Sequence, residues 1–210
     1  IQITFQLEGS FEIGVMGECL TGPVAAIWSD TPHSFRAHGA VAFLFIAPES
    51  SVGRALERKW FADQAWINVA DDQLSLMFDD LRDCARNGFM QDEMLKLGRH
   101  ALNILPAAEE HALPDPRVRE MVAYVRQNIE ETISLPAAAS HVGLSHSRAR
   151  HLFVAQTGLP FKTYVLWARL ECAVALYANG KSLTEAAHTA GFADSAHFSR
   201  TFKRTFGLPA

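Results

Sequence analysis

The sequence predicts an α+β protein in which a small antiparallel β domain with helices precedes a separate all-α domain. Three observations support this prediction. Strand-like segments fill the first fifty residues, helical periodicity dominates from about residue 53, and the proline-rich stretch ILPAAEEHALPDP interrupts it at 104–116. We therefore expect a first domain at 1–105, a linker at 106–116 and a second domain at 117–210.

The strands of the first domain are predicted within about residues 1–50. Four short segments are rich in β-branched and aromatic residues: ITFQL, FEIGVM, VAAIW and VAFLFIA. Turn residues separate them, such as Glu8-Gly9-Ser10 and Gly22-Pro23. This spacing is typical of an antiparallel meander or part of a barrel.

Helices are predicted at about 53–105, where they would cover the sheet. Apolar residues recur at helical spacing after Asp71-Asp72 and again after Gln91. Intramolecular packing is the default for these side chains, but the same helices are candidates for pairing two subunits into a homodimer. The candidate dimer residues are Leu74, Met77, Phe78, Leu81, Leu95 and Leu102.

Charge is distributed unevenly along the chain. Residues 1–115 hold 8 Lys/Arg and 17 Asp/Glu, a net charge of −9, whereas residues 116–210 hold 11 Lys/Arg and 6 Asp/Glu, a net charge of +5. A basic half of this kind suits a polyanionic partner, although ordinary charge variation is the alternative.

Several functional classes are disfavoured by composition. No run of 18 or more apolar residues exists, which excludes a membrane-spanning helix. The three cysteines, Cys19, Cys84 and Cys172, are far apart and match no metal spacing, so we expect reduced thiols in a cytoplasmic protein without a cofactor.

The second domain repeats one short plan. In residues 134–158, a helix capped by Ser134 ends at Gly143, and Ser145 begins the next helix. In residues 182–207, the capping box at Ser182 begins a helix that ends at Gly191, and Asp194 caps the following one. This is helix-turn-helix architecture, in which the second helix of each pair, about 145–157 and 194–206, conventionally enters a major groove.

The region from about Asp115 to Pro209 resembles the DNA-binding domain of AraC/XylS-type transcription regulators. The resemblance lies in LPAAASHVGLS, HLFVAQTGLPFKTYV, ARLECAVALYANG and above all LTEAAHTAGFADSAHFSRTFKRTFGLP. It implies that double-stranded DNA is read in two successive major grooves, with RNA polymerase as a further partner if the protein activates transcription. The family continues into a seventh helix, so the stop at Ala210 is expected to reduce stability.

Individual DNA contacts follow from this resemblance and from the polar faces of the two helices. The positions expected to contact bases are Ser147, Arg150, His151, Ser195, Ala196 and Arg200. The positions expected to contact the DNA backbone are Arg148, His197, Ser199, Lys203 and Arg204. A merely solvated basic face is the alternative for each helix taken alone.

Residues 1–50 more weakly resemble the cupin-like sensor domain of some of these regulators, through SDTPHSFRAHG, VAFLFIAPES and GRALE. The resemblance implies a partial barrel whose apolar interior could bind a small effector, although the same side chains could simply fill the core. The candidate pocket residues are Phe5, Phe11, Ile13, Ile27, Phe35, Phe43 and Phe45.

Two other classes of function remain as alternatives to a regulator. The first is a cupin-type metal-dependent enzyme or sensor whose helical half is only a scaffold. Only His33 and nearby His38 suggest ligands, so we expect neither a metal nor an enzyme. The second is a protein-interaction adaptor built on the helix-turn-helix pairs, which the positive charge of the second domain disfavours.

Overall fold

The computed structural model describes residues 1–69, 80–86, 88, 96–100, 105 and 115–206. The chain divides into two compact units, Ile1–Ala112 and Leu113–Ala210, and the division lies within the segment predicted as a linker.

The amino-terminal unit contains two antiparallel sheets. Their strands are β1 (Gln2–Gln6), β2 (Ser10–Val15), β3 (Glu18–Leu20), β4 (Val24–Ile27), β5 (Ser34–His38), β6 (Val41–Phe45) and β7 (Trp66–Asn68). The strand orders are β6-β1-β4-β7 and β3-β2-β5, and every pairing is antiparallel. The prediction of antiparallel β structure is confirmed, whereas β3, β5 and β7 were not predicted.

The four-stranded sheet separates two apolar cores because neighbouring side chains of a strand point to opposite faces. Ile3 and Phe5 of β1 belong to a cluster that also holds Leu56 and Trp60 of helix α1 (Ser51–Trp60). Ile27 of β4 belongs to a second cluster, together with side chains of β2.

The helices predicted at 53–105 are only partly described. Helix α1 begins after Ser50, whose hydroxyl accepts a hydrogen bond from the Gly53 amide at 3.0 Å, and residues 80–86 and 96–100 are also helical. Leu81, a candidate dimer residue, is buried in the first apolar cluster of its own unit. The other five candidate dimer residues lie outside the described residues: Leu74, Met77, Phe78, Leu95 and Leu102.

The described part of the carboxy-terminal unit is helical, as predicted. Its helices are α2 (Pro116–Gln127), α3 (Leu135–His141), α4 (His146–Thr157), α5 (Phe161–Ala178), α6 (Leu183–Thr189) and α7 (Ser195–Phe206). Helix α2 buries Val118, Met121 and Val125 at the expected helical spacing. Helix α5 packs against α2, α4 and α6, and therefore links the two helical pairs.

Candidate nucleic-acid interface

The first helical pair, α3 and α4, is shaped by caps and small residues. The hydroxyl of Ser134 accepts a hydrogen bond from the Ala137 amide at 3.4 Å, and Ala138 and Ala139 are buried where α3 meets α4. Gly143 turns the chain at φ +66°, a conformation that costs glycine little. The Ser145 hydroxyl then accepts from the backbone amide at the start of α4, so the predicted N-caps are confirmed.

The second pair, α6 and α7, repeats this construction. Ser182 and Glu185 form a reciprocal capping box in which the Glu185 amide donates to the Ser182 hydroxyl at 3.2 Å. Gly191 turns the chain at φ +79°. The Asp194 carboxylate accepts a hydrogen bond from the His197 amide at 2.6 Å, which confirms the predicted cap of α7.

Helix α4 is held by one apolar face and exposes the other. Ala149 and Phe153 are fully buried, and the Phe153 ring meets the Phe161 and Tyr164 rings of α5 edge-on, at centroid distances of 5.0 and 5.2 Å. The four polar residues expected to contact DNA from this helix are all exposed: Ser147, Arg148, Arg150 and His151.

Helix α7 exposes a smaller part of its expected contact set. Phe198 and Thr201 are buried, and the burial of Thr201 was not anticipated from the sequence. The His197 ring packs edge-on against Phe192 at 5.3 Å, so this side chain also serves the core of the unit. Among the predicted contact residues, Ser195, His197 and Ser199 are half-buried, whereas Ala196, Arg200, Lys203 and Arg204 are exposed.

The outer faces of both helices are positively charged. Neither α4 nor α7 contains an acidic residue, and together they expose five cationic side chains: Arg148, Arg150, Arg200, Lys203 and Arg204. The acidic residue capping α7, Asp194, is engaged by a backbone amide. Such a surface favours contact with phosphate groups.

One further carboxylate near α4 is strongly paired. The guanidinium of Arg117 donates to Asp115 through Nε at 2.9 Å and Nη2 at 2.7 Å, which lowers the pKa of Asp115 to about 2. The positive charge of Arg148 contributes to the same shift in pKa. Asp115 is therefore ionised at neutral pH and also caps α2.

The candidate effector residues of the amino-terminal unit are divided between its cores. Phe5 lies in the first cluster, whereas Phe11, Ile13 and Ile27 are buried in the second, with Phe35 packed against them. Because Phe5 lies in a different cluster, the seven side chains do not share one core. Phe11, Phe35, Phe43 and Phe45 instead form a row with successive ring centroids 6.3, 5.1 and 6.0 Å apart, in which the last three rings are half-buried.

The two histidines considered as metal ligands lie at the surface. His33 and His38 are exposed, and the His33 ring is within hydrogen-bond distance of the Thr31 carbonyl at 2.8 Å. Within the described residues, no group of three or more His, Cys, Asp or Glu side chains could hold a metal ion. The helices described here include none with the length and apolarity needed to cross a membrane.

Comparison with known proteins first defines the class of the carboxy-terminal unit. The family model described as "Helix-turn-helix domain" matches residues 138–210. The HTH-type transcriptional regulators YidL of Escherichia coli and GbdR of Pseudomonas aeruginosa are 35% and 32% identical to this chain over 92 and 95 residues, which are 43% and 45% of the chain. These matches span only 31% and 26% of the two relatives. The unit is therefore a helix-turn-helix domain.

Two solved structures are also similar to this chain. A transcriptional regulator with an AraC-type DNA-binding domain from Chromobacterium violaceum is 30% identical, with 45% of this chain and 85% of that one covered and a TM-score of 0.41. ToxT from Vibrio cholerae shares the fold over 99% of this chain and 85% of its own, at 13% identity and a TM-score of 0.61. The carboxy-terminal unit is thus similar to an AraC-type DNA-binding domain, and the likeness to ToxT shows a shared fold.

Proposed function

We propose that this protein is a sequence-specific DNA-binding transcription regulator that places α4 and α7 in two successive major grooves. The observation that supports this most strongly is the repeated capped turn, which presents two helices with basic, acid-free outer faces. In helix-turn-helix proteins, the second helix of each pair reads base edges while cations contact phosphates. The protein then acts in the cytoplasm, on the bacterial nucleoid.

The two helices differ in the chemistry that they offer to DNA. Helix α4 exposes a hydroxyl, a guanidinium and an imidazole in Ser147, Arg150 and His151, a set that suits base edges. Helix α7 exposes Ala196, which can contact a thymine methyl, and Arg200, which can donate two hydrogen bonds to guanine. Arg148, Lys203 and Arg204 are assigned to phosphates, with lesser backbone contributions from His197 and Ser199.

The salt dependence of binding tests this proposal. A 30-base-pair duplex is first selected by the full chain from a randomised pool, and its affinity is measured by fluorescence anisotropy at several salt concentrations. If three to five cations contact phosphates, the slope of log affinity against log salt should be about −3 to −4.5. A slope near zero, or the failure to select any duplex, would contradict the proposal.

Arg200→Ala distinguishes base contact from phosphate contact. If Arg200 reads a base, its loss should cost about 1–3 kcal/mol and relax selectivity at one position of the selected duplex. If it contacts phosphate, all duplexes should weaken alike, and the salt slope should fall by about one. Arg119→Ala is the matched control, because Arg119 is an exposed arginine of α2 in the same unit.

We also propose that the amino-terminal unit binds a small apolar effector beside its phenylalanine row. The first support is that Phe43 packs against both Phe35 and Phe45 while all three remain half-buried. The second is that ToxT, which shares the fold, has been solved with an unsaturated fatty acid bound. Oleate is the probe. Calorimetry should detect saturable binding that Phe43→Ala weakens and that Met16→Ala, a change at an exposed apolar residue, leaves intact. Equal binding by both variants would refute this site.

Two partner proposals concern assembly. Pairing of two chains through residues 71–105 would give each regulator a second DNA-binding domain, and sedimentation of the full chain between 1 and 100 μM checks it.

Contact with RNA polymerase follows if the protein activates transcription. Transcription from the selected site in a purified system, with and without the protein, determines the sign of regulation.

A further inference from the structure

Helix α5 is shared by the cores of both helix-turn-helix pairs. Its first half, from Phe161 to Ala168, packs into the cluster that seats α4. Its second half contributes Leu170 and Ala173 to the cluster that seats α7. Arg169 lies between Ala168 of the first cluster and Leu170 of the second. Its contacts can therefore affect the orientation of one pair relative to the other.

The guanidinium of Arg169 binds the loop that connects α2 to α3. Its Nε donates to the Ile129 carbonyl at 3.2 Å, and its Nη2 donates to the Glu131 carbonyl at 2.6 Å. Partial burial lowers the pKa of Arg169, as expected for a cation removed from water. These bonds span 40 and 38 positions of the sequence and hold the loop that leads into the first pair against α5.

The turn of the second pair meets the same two groups. A methyl group placed on Gly191 would lie 2.3 Å from the Ile129 carbonyl oxygen and 2.9 Å from Arg169 Nε. The backbone at Gly191 therefore approaches the α2–α3 loop more closely than any other residue type permits. Gly143, at the corresponding turn of the first pair, has a similar φ of +66° but meets nothing within 4 Å.

We infer that Arg169, the Ile129 carbonyl and Gly191 form a junction that sets the orientation of α7 relative to α4. This inference rests on the proposed function, because its consequence is selectivity for the spacing between the two grooves that are read. Gly191 is followed by only Phe192, Ala193 and Asp194 before α7 begins, so its position bears directly on that helix. Arg169 is thus a positioning residue for DNA reading.

The first test uses matched pairs of variants in the full chain. Gly191→Ala disturbs the junction, whereas Gly143→Ala imposes a comparable backbone strain without a contact. Arg169→Met removes the guanidinium but keeps an apolar stem, and Arg126→Met is its control, because Arg126 pairs with Glu171 across α2 and α5 at 3.5 Å.

Binding is measured on the duplex selected by the unaltered protein and on versions with one or two base pairs inserted between its two halves. Two inserted base pairs rotate one groove by about 70° relative to the other. We expect this insertion to weaken the unaltered protein and both controls by at least about tenfold. The Gly191→Ala and Arg169→Met proteins should lose less than about threefold. An equal penalty in all five proteins would overturn the inference while leaving DNA binding established.

A second measurement is independent of DNA and therefore separates this inference from the proposed function. Spin labels are attached at Ala155 of α4 and Thr205 of α7, both exposed, in a protein whose native cysteines are replaced by serine. Double electron–electron resonance should give a narrow distribution of the distance between the two labels for the unaltered protein and for Gly143→Ala. It should give a broader or shifted one for Arg169→Met and Gly191→Ala. Unchanged distributions in both junction variants would refute the junction whether or not any duplex is bound.

Discussion

Phe153 and Phe202 occupy equivalent places in the repeated sequence, yet the structure predicts that their removal has unequal consequences. Phe153 is fully buried and touches two aromatic rings of α5. Phe202 is half-buried, and its ring neighbours Phe198 and Phe206 belong to its own helix. Phe153 therefore attaches α4 to the rest of the unit more completely than Phe202 attaches α7.

The burial of each ring determines how much its removal lowers the free energy of unfolding. Phe153→Ala removes a ring with no exposed surface and leaves a cavity under α4, which should cost about 3–5 kcal/mol of unfolding free energy. Phe202→Ala removes a ring that is already partly hydrated and whose site can collapse toward solvent. Its cost should be about 1.5–3 kcal/mol.

Hydrogen exchange measured by mass spectrometry on the full chain is the suitable assay, because it reports the two units separately. We expect Phe153→Ala to lower amide protection throughout α2–α5, and Phe202→Ala to lower it less, chiefly in α6 and α7. Peptides from β1 to β6 serve as the internal control and should not change. If Phe202→Ala lowered protection as much as Phe153→Ala, this reasoning from burial would be refuted.

Three further predictions concern polar groups of the carboxy-terminal unit. Because the pKa of Asp115 is lowered from its ordinary 3.8 to about 2, its pairing with Arg117 stabilises the fold above about pH 4, and this stabilisation is lost as pH falls through about 2. Asp115→Asn should therefore lower the melting temperature at pH 6, and the difference should shrink steadily as the pH falls to 2. Thr157→Val removes a buried hydroxyl that donates to the Phe153 carbonyl at 2.8 Å and accepts from the Leu159 amide at 3.3 Å. It should lower the free energy of unfolding, measured by urea denaturation, by about 1–3 kcal/mol, and a loss below about 0.5 kcal/mol would contradict the importance of these bonds. Ser182→Ala breaks the capping box with Glu185 and should cost about 0.5–2 kcal/mol, seen as faster exchange in the first turn of α6 but not in α3.

Local sequence signals were sufficient for most elements of this fold. The capping residues Ser134, Ser145, Ser182 and Asp194 were predicted correctly because a cap needs only a side chain and an amide two or three positions later. The four segments predicted as strands correspond to β1, β2, β4 and β6. They could be predicted because runs of β-branched and aromatic residues favour a strand locally.

The missed strands lack a long enough run of such residues. Strand β5, with the sequence SFRAH, has no β-branched residue and is mostly exposed, and it exists because β2 offers it an antiparallel partner. Strands β3 and β7 are three residues long and likewise depend on their neighbours. Their pairing is a tertiary property that residue patterns along one segment do not carry.

The candidate site divides in the same way. The outward-facing residues of α4 followed from helical periodicity, because its core stripe of Ala149 and Phe153 is regular. On α7, burial of Thr201 beside Phe198 widens the core stripe and draws neighbouring residues partly inside. Arg169 gave no sequence signal at all, because its partners are backbone carbonyls of a distant loop.

Under the proposed function, these differences would give the two helices unequal roles. The four α4 residues expected to contact DNA are exposed and chemically varied, two of them being arginines, and such a set suits discrimination among bases. The exposed polar contact set of α7 consists of Arg200, Lys203 and Arg204, which suit phosphates as well as bases. We infer that a helix whose contacts depend mainly on charge gains its position on the DNA sequence from its attachment to the rest of the unit. In this proposal, the close approach of Gly191 to the α2–α3 loop and to Arg169 fixes α7 and lets the less selective helix contribute to specificity.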